Sequence, residues 1–546
     1  MVVGLDLGTT NSLLCYFIPD KELKSTELKY LHFGIEKRDF FPSVVAYPKS
    51  GGAEYLVGSA ASNLLGSKNY HIYEHFKLGL GKGADVPDKN GMSPRMVACD
   101  FLREILRQLQ LEYPGEEIKS IVITIPDVWK NEPEYKIAVD NLVWVFEELN
   151  FPAAIAFESE PVSAAVYYCC EVEERFRGHL LVVDYGGGTL DLTLCCTEDG
   201  SSSEGNGRGK DGRVIRVLQR CGDSGHAGSA FDEEMVRYLY QKYGSDPNYE
   251  LHQEDYKPGT KRYYRFRNAF ESSKIGAADK TRKVLKDYYS FGGFDAKMFD
   301  VPSDEDDDYP VYASDMATVF DRVNKNVLTN AIDFMLEYCR SENIDINHME
   351  HFRILMVGGF SSLYCVENVL RERFGANAAV RDIRIDTPMP LSSRITAIAS
   401  GAALLASKFV NVVYLCPSSY GFYYYSIKDM KMVPLVVIER GKPEQEFREP
   451  KYTAPFRLFS ASFDTMLRLF FDDGKGIVPF TMDETFLKLC PNANDPDNNY
   501  QIGFSIGSHH IPMLHIRDKN GEVKVHSLNR ILDQIAIIPA EPYGGV

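Results

Sequence analysis

Two kinds of block alternate along most of the chain. Short apolar runs rich in Val, Ile and Leu read as buried strands, and longer stretches with apolar residues every three or four positions read as amphipathic helices. Strand-like runs lie in Val2–Leu14, around turns in Phe41–Val57, in Ile118–Pro126, Ala153–Phe157, Leu180–Leu194 and Phe352–Val357. Helical spacing predicts Val97–Leu111, with Phe101, Leu102, Ile105, Leu106 and Leu109 on one face, and then Pro133–Leu149. Further helices are predicted from Pro161 (a proline suited to a first turn), over the basic stretch Tyr263–Lys286, up to about Phe374, and over Ser393–Ser407. The last is rich in Ala and Gly, able to cross closely beneath a sheet. Beyond Lys408 the texture changes to short alternating segments: Tyr420–Ser426, Met432–Ile438, Thr465–Phe471, Gln501–Ile506, Met513–Arg517 and Glu522–Ser527. Turns such as Asp473-Gly474 and Lys519-Asn520-Gly521 separate several of them, which predicts a β-sandwich-like module. Glu198–Arg213 predicts a mobile hairpin tip and Ser303–Asp308 an acidic solvated loop.

Two glycine bends carry the candidate chemistry. In Leu180–Leu194 two apolar arms flank Gly186-Gly187-Gly188, so backbone N–H groups can reach a phosphate with no side chain in the way. Asp184 ends the first arm where a cation or polarised water would sit, and Thr189 adds a hydroxyl. The N-terminus repeats the grammar with Asp6, Gly8, Thr9 and Thr10. Either bend alone is an ordinary turn sequence. Their shared order, Asp-x-Gly and then Thr, points to an internally duplicated phosphate clamp with one half in each of two lobes, and hence to a nucleotide.

Other positions admit two readings. Lys77 is either a phosphate-directed ammonium or a surface lysine. Glu160, just before Pro161, either caps that helix or orients a water. Gly222–Asp232 is a glycine-spaced loop opening a helix, a ready anion or ribose site. Val357-Gly358-Gly359-Phe360-Ser361 offers bare backbone to a flat ligand or a phosphate. His71 and His75 have helical metal-pair spacing but no third ligand, which makes them structural.

Composition narrows the function classes. At 546 residues, length suggests three or four domains or subdomains, and 44% hydrophobic with 25% charged residues is ordinary for a soluble protein. A formal charge of −17 argues against nucleic acid and against an anionic membrane surface. The chain opens on a strand-like motif, so no signal peptide is expected. Its longest apolar run, Ala397–Ala406, is too short to span a bilayer. Eleven cysteines without a Cys-x-x-Cys pair suit a reducing cytoplasmic setting.

With these residues in view, the chain resembles the seventy-kilodalton heat-shock chaperones and, more broadly, the actin-like ATPase superfamily. The Asp-Leu-Gly-Thr-Thr-Asn opening, Asp184–Asp191, Val357-Gly358-Gly359 and Glu160-Pro161-x-x-Ala164-Ala165 match in order. The resemblance implies an α/β, two-lobed fold, each lobe a mixed sheet with flanking helices, followed by the C-terminal β-sandwich-like domain. It places lobe I at 1–176 plus 388–407, lobe II at 177–387, an apolar linker at 408–416 and a substrate-binding-like module at 417–546. It further implies ATP or ADP with Mg²⁺ between the lobes. Gly8, Thr9, Thr10 and Asn11 would hold phosphates against Gly186, Gly187, Gly188 and Thr189. Asp6 and Asp184 would bind Mg²⁺ largely through water, Lys77 would face the γ-phosphate, and Glu160 would position the attacking water. Gly228, Glu271, Lys274, Gly358, Gly359 and Ser361 would surround ribose and adenine.

The departures are specific. Ile275 stands where the family has an arginine after the lysine of the adenine helix, Ala278 replaces a serine, and Ser362 replaces an arginine stacked on the base. Pro126 matches a proline of lobe-to-lobe signalling, while Glu134 replaces the arginine expected eight positions later. No long helical lid follows the β-rich tail, which implies loose client binding with fast exchange. The reading is an ATP-hydrolysing chaperone whose partners are polypeptide clients and co-chaperones. The alternative is a nucleotide-sensing regulator or scaffold with regulatory protein partners and weak or no hydrolysis.

Overall fold

Both glycine bends close the hairpins their sequences predict. Val2–Asp6 pairs antiparallel with Asn11–Phe17, setting Asp6 opposite Leu13. Gly178–Tyr185 pairs antiparallel with Thr189–Asp199, setting Asp184 opposite Asp191. Each first strand takes a parallel neighbour on its other edge: Ser120–Ile125 beside Val2–Asp6, and Phe352–Val357 beside Gly178–Tyr185. The duplication is therefore architectural as well as sequential. Strands covered on both faces need apolar residues at successive positions, which is why Ser120–Ile125 and Gly178–Tyr185 lack polar alternation.

The computed structural model describes residues 1–18, 27–32, 39–51, 54–82, 86–130, 134–199, 212–246, 249, 256–292, 294–302, 308–348, 350–375, 391–426, 431–453, 456–457, 468–472, 474, 477–480, 490–492, 499–507 and 510–528. Most of the predicted tip at 198–213, most of the acidic run at 303–308, the start of Thr465–Phe471 and the boundaries at 387–388 lie outside them.

The first sheet runs in the order Lys29–Tyr30, Asn11–Phe17, Val2–Asp6, Ser120–Ile125, Ala154–Ser159. In the second, four strands run Phe352–Val357, Gly178–Tyr185, Thr189–Asp199, Arg213–Ser224. The helix Leu391–Ala406 crosses as its small residues predict. A Cβ on Gly4 would stand 2.2 Å from the Ala399 carbonyl and the Ala403 nitrogen, and one on Gly401 would stand 1.7 Å from the Ser163 carbonyl. Val2, Leu13, Cys15, Phe17, Ala399 and Ala403 close the core between sheet and helix.

Two local expectations change. Tyr263–Lys286 is two helices, Lys261–Gly276 and Ala278–Ser290, parting where Gly276 gives the first helix its weakest residue. His71 lies on the strand Tyr70–Glu74, and His75 takes a left-handed φ of 53° before the helix Phe76–Leu80, so the pair shares no helical face.

The chain divides into two compact units. One holds Met1–Trp129, Ile137–Ile215 and Arg220–Asn411, including both hairpins; the other holds Lys130–Lys136, Arg216–Gln219 and Val412–Val546. In the second unit, one antiparallel sheet runs Lys431–Ile438, Ser419–Ser426, Arg468–Asp472, Ile477–Phe480. Another runs Lys451–Tyr452, Asn499–Ile506, Pro512–Arg517, Val523–Ser527. Phe422 and Leu469 from one sheet share a core with Phe504, Leu514 and Ile516 from the other, and the Phe422 and Phe504 rings stack at 6.4 Å. Tyr414 stacks on His510 at 3.8 Å, and the Cys416 N–H donates to the Lys442 carbonyl at 2.9 Å. All eleven cysteines are free thiols. Among the described residues no helix is long and apolar enough to cross a membrane.

Candidate active site

The first bend is closed by glycine and pinned by Ser43. A Cβ on Gly8 would stand 1.8 Å from the Asn11 carbonyl, so no larger residue closes it. The Ser43 hydroxyl donates to the Gly8 carbonyl at 2.7 Å, and its N–H donates to the Thr10 carbonyl at 2.8 Å. In the second bend, the Gly186 N–H donates to the Thr189 carbonyl at 3.1 Å. The helix Gly228–Gly244 holds this bend from outside. The Gly228 and Ser229 N–H groups donate to the Gly186 and Gly187 carbonyls at 3.0 and 2.8 Å. That helix start thus directs its first two donors at the bend, leaving the N–H groups of Gly187 and Gly188 without a backbone acceptor among the described residues.

The two bends face each other. A Cβ on Gly187 would stand 2.2 Å from Thr10 Oγ1, and one on Gly188 would stand 2.3 Å from Thr9 Oγ1. Thr10 Oγ1 also lies 3.4 Å from Ser229 Oγ. Asp6 and Asp184, far apart in sequence, therefore lie on strands that lead into two bends in contact, and Asp6 is among the charges acting on Asp184.

Lys77 is buried rather than exposed, in an ion pair with buried Glu160. The cap of the following helix is supplied by Ser159, whose hydroxyl accepts from the Val162 N–H at 3.3 Å. Glu160 is thereby left to the lysine. Burial alone would lower the Lys77 ammonium, but Glu160, Asp6 and Asp184 outweigh it and hold the group above its ordinary value.

The carboxylates outnumber that ammonium. Burial, reinforced by Glu160, pushes Asp6 up to about 7 against the pull of Lys77 and a 3.5 Å contact from the Thr124 hydroxyl. Burial, then Glu160, Asp191 and Asp6, raises Asp184 well above the usual range. Asp191 is raised by burial and by Asp127 and Glu160, although the Val128 N–H donates to it at 2.8 Å and the Thr189 hydroxyl bonds to it. Asp184 Oδ2 and Asp191 Oδ2 are buried with no hydrogen-bond partner among the described residues. A cluster this short of positive charge fits a divalent cation. Among the described residues no group of three His, Cys, Asp or Glu side chains is arranged to enclose a metal. An all-carboxylate donor set of this kind fits a hard ion such as Mg²⁺.

The third glycine motif abuts this cluster. Gly358 has φ 80°, and a Cβ there would stand 2.6 Å from Asp184 Oδ1 and the Tyr185 carbonyl. Gly359 faces open space, and the buried Ser361 hydroxyl donates to the Gly358 carbonyl at 2.7 Å. Phe360 links the motif to the helices beyond. A Cβ on Gly228 would touch it, Phe231 lies 5.2 Å from it, and the Lys274 ammonium is 6.0 Å from the Phe231 ring. Lys274 bonds to Asp232 at 2.6 Å, while burial and Asp232 push Glu271 up to about 7 beside Arg267.

Sequence reasoning missed three residues here. Arg282 donates to the Ser362 carbonyl at 3.3 Å and pairs with Glu367, bringing a guanidinium beside residue 362. Asp127 and Trp129, just past Pro126, contact Thr193 and Lys77. Helical spacing between 278 and 282 is the signal for Arg282; no sequence pattern marks the other two.

The profile of the Hsp70 protein family matches residues 69–411, more than half of the chain. The chaperone protein DnaK of Thermosipho melanesiensis is 24% identical over 422 residues, covering 77% of this chain and 63% of that protein. DnaK of Thermotoga maritima is 26% identical over 280 residues, 51% of this chain and 41% of that protein. The mitochondrial iron-sulfur cluster biogenesis chaperone of Saccharomyces cerevisiae is 23% identical over 407 residues, 68% of this chain and 56% of that protein. The chain thus spans less than two thirds of the length of these curated relatives.

Proposed function

We propose that this chain, which belongs to the Hsp70 family, binds and hydrolyses ATP between its two glycine hairpins and couples nucleotide state to polypeptide binding. Its duplicated mixed sheets with flanking helices are the actin-like ATPase fold of that family, followed by antiparallel C-terminal sheets. The observation that carries the proposal is the close approach of Thr9 and Thr10 to Gly188 and Gly187, beside the interacting charges of Asp6, Lys77, Glu160 and Asp184.

In this reading Thr9, Thr10 and Asn11, on the bend closed by Gly8, grip the phosphates from one side. The N–H groups of Gly187 and Gly188 grip from the other, with Gly186 and Thr189 shaping that bend. Asp6 and Asp184 would hold Mg²⁺, which would supply charge neutralisation for the phosphates. Lys77 presents its ammonium to the γ-phosphate, and Glu160, paired with that lysine, orients the attacking water. Positioning and charge account for such a reaction, because phosphoryl transfer asks little covalent chemistry of a protein. Gly228, Glu271, Lys274, Gly358, Gly359 and Ser361 border ribose and adenine, and Arg282 provides the guanidinium at the base. The β-module takes extended apolar segments of polypeptide clients, co-chaperones adjust the cycle, and the free thiols suit the cytoplasm.

A second reading, a nucleotide-sensing regulator with weak hydrolysis, is favoured by one observation: Ile275 is 66% exposed and brings no cation to the base. Single-turnover ATP hydrolysis by wild type, Asp184→Asn and Lys77→Ala tests the mechanism, and equal rates in all three refute it. Binding of an extended apolar peptide with and without ATP separates the readings. An affinity indifferent to nucleotide refutes the coupled machine.

A further inference from the structure

The 3-10 turn Asp127–Lys130 touches three parts of the site at once. The buried Asp127 carboxylate accepts a hydrogen bond from Thr193 Oγ1 at 2.6 Å. The next residue, Val128, donates its N–H to Asp191 Oδ1 at 2.8 Å. Thr193 and Asp191 both lie on the outgoing strand of the second hairpin, Thr189–Asp199. The third residue, Trp129, is buried with its ring 5.6 Å from the Lys77 ammonium. Its own N–H donates to the Pro126 carbonyl at 3.2 Å, which sets the ring directly after the strand Ser120–Ile125.

A lysine has four flexible methylenes and a point charge, so it does not hold a direction unaided. Glu160 fixes the ammonium on one side. An aromatic face within about 6 Å attracts a cation through its quadrupole, more strongly when both are out of water. The side-chain bond at Asp127 and the backbone bond at Val128 tie that face to the strand bearing Thr193 and Asp191. Three consecutive residues thus link the lysine, which lies on the helix Phe76–Leu80 within reach of the Asp6 charge, to the second hairpin.

We propose that Trp129 and Asp127 are positioning residues for the reaction: Trp129 holds the Lys77 ammonium on line, and Asp127 registers that ring against the second hairpin. This rests on the ATPase reading above. In the full chain, Trp129→Leu removes the π face, whereas Trp129→Phe keeps one. Single-turnover hydrolysis of Mg²⁺-ATP slows about tenfold in the leucine variant and less than about threefold in the phenylalanine variant, with ATP affinity changed less than about twofold. Asp127→Ala slows it likewise, and Asp127→Asn, which still accepts from Thr193, restores most of the rate. Equal rates in the leucine and phenylalanine variants overturn the proposal.

A second arm needs no nucleotide. The chain has two tryptophans, so Trp144→Phe leaves Trp129 as the sole indole. On that background Lys77→Met raises the emission of Trp129, because a quenching ammonium leaves its ring. An unchanged spectrum overturns the proposal whatever the hydrolysis rate. If wild type hydrolyses no ATP while the emission still responds, the ATPase reading fails and the contact between ring and lysine stands.

Discussion

Asp6→Asn removes one carboxylate that burial drives toward its protonated form, and the structure sets the size and sign of the effect. Asp6 rises from the model-peptide value of 3.8 to about 7 in the folded chain. Between those values the folded state keeps a proton that the unfolded state has released. Stability from this group is fully present below the unfolded value and is lost as pH climbs through about 7. At 1.36 kcal/mol per pH unit, the whole window amounts to about 4 kcal/mol. That is an upper limit, since Asp184 competes for the same proton. Asparagine has no proton to release, so the variant lacks this component. The assay is urea unfolding of the full chain without Mg²⁺ or nucleotide between pH 4 and 7.5, followed by circular dichroism. Wild type should lose up to about 4 kcal/mol more than Asp6→Asn across that range. Mg²⁺ with ATP should recover the difference, because a bound cation stabilises the ionised carboxylate. Identical pH slopes for the two proteins would refute the reasoning.

Three further outcomes follow from the same contacts. Arg282→Ala should weaken ATP binding about fivefold to tenfold, with a smaller loss for inorganic triphosphate, as judged by calorimetry; equal losses for both would remove Arg282 from the base. Gly358→Ala combines a positive φ with a Cβ 2.6 Å from Asp184 Oδ1, so urea unfolding should show a loss of about 2 kcal/mol or more. Lys77→Met leaves Glu160 buried without its partner and should cost about 3 kcal/mol, most of which the double variant with Glu160→Gln regains; additive losses would contradict the pairing.

The hairpins were legible because two signals coincide in them: apolar arms long enough for buried strands, and bends whose glycines have no other use. The meeting of Thr10 with Gly187 was legible only through their repeated order, since spacing along a chain does not tell which bends face each other. The two readings of Lys77 stayed open in the sequence because its buried partner, Glu160, lies 83 positions away. The two readings of Glu160 stayed open because the sequence does not say that the Ser159 hydroxyl takes the capping task. In the C-terminal unit the eight-residue strand Ser419–Ser426 announced itself by alternation. Lys451–Tyr452 and Phe456–Arg457, two residues each, are strands only because Asn499–Ile506 is there to pair with them. Asp127 and Trp129 have no local signature at all, since their meaning lies in Thr193 and Lys77.

The claim that two distant hairpins share one metal-nucleotide complex is tested most directly with Mn²⁺ as the probe ion. Electron paramagnetic resonance titration of Mn²⁺-ATP into wild type, Asp6→Asn, Asp184→Asn and the double variant reports how many of these carboxylates act on one ion. The account predicts that each single variant weakens Mn²⁺-ATP binding about tenfold and that the double variant is little worse than either. Losses that multiply as for independent sites, or a loss confined to one aspartate, would contradict it.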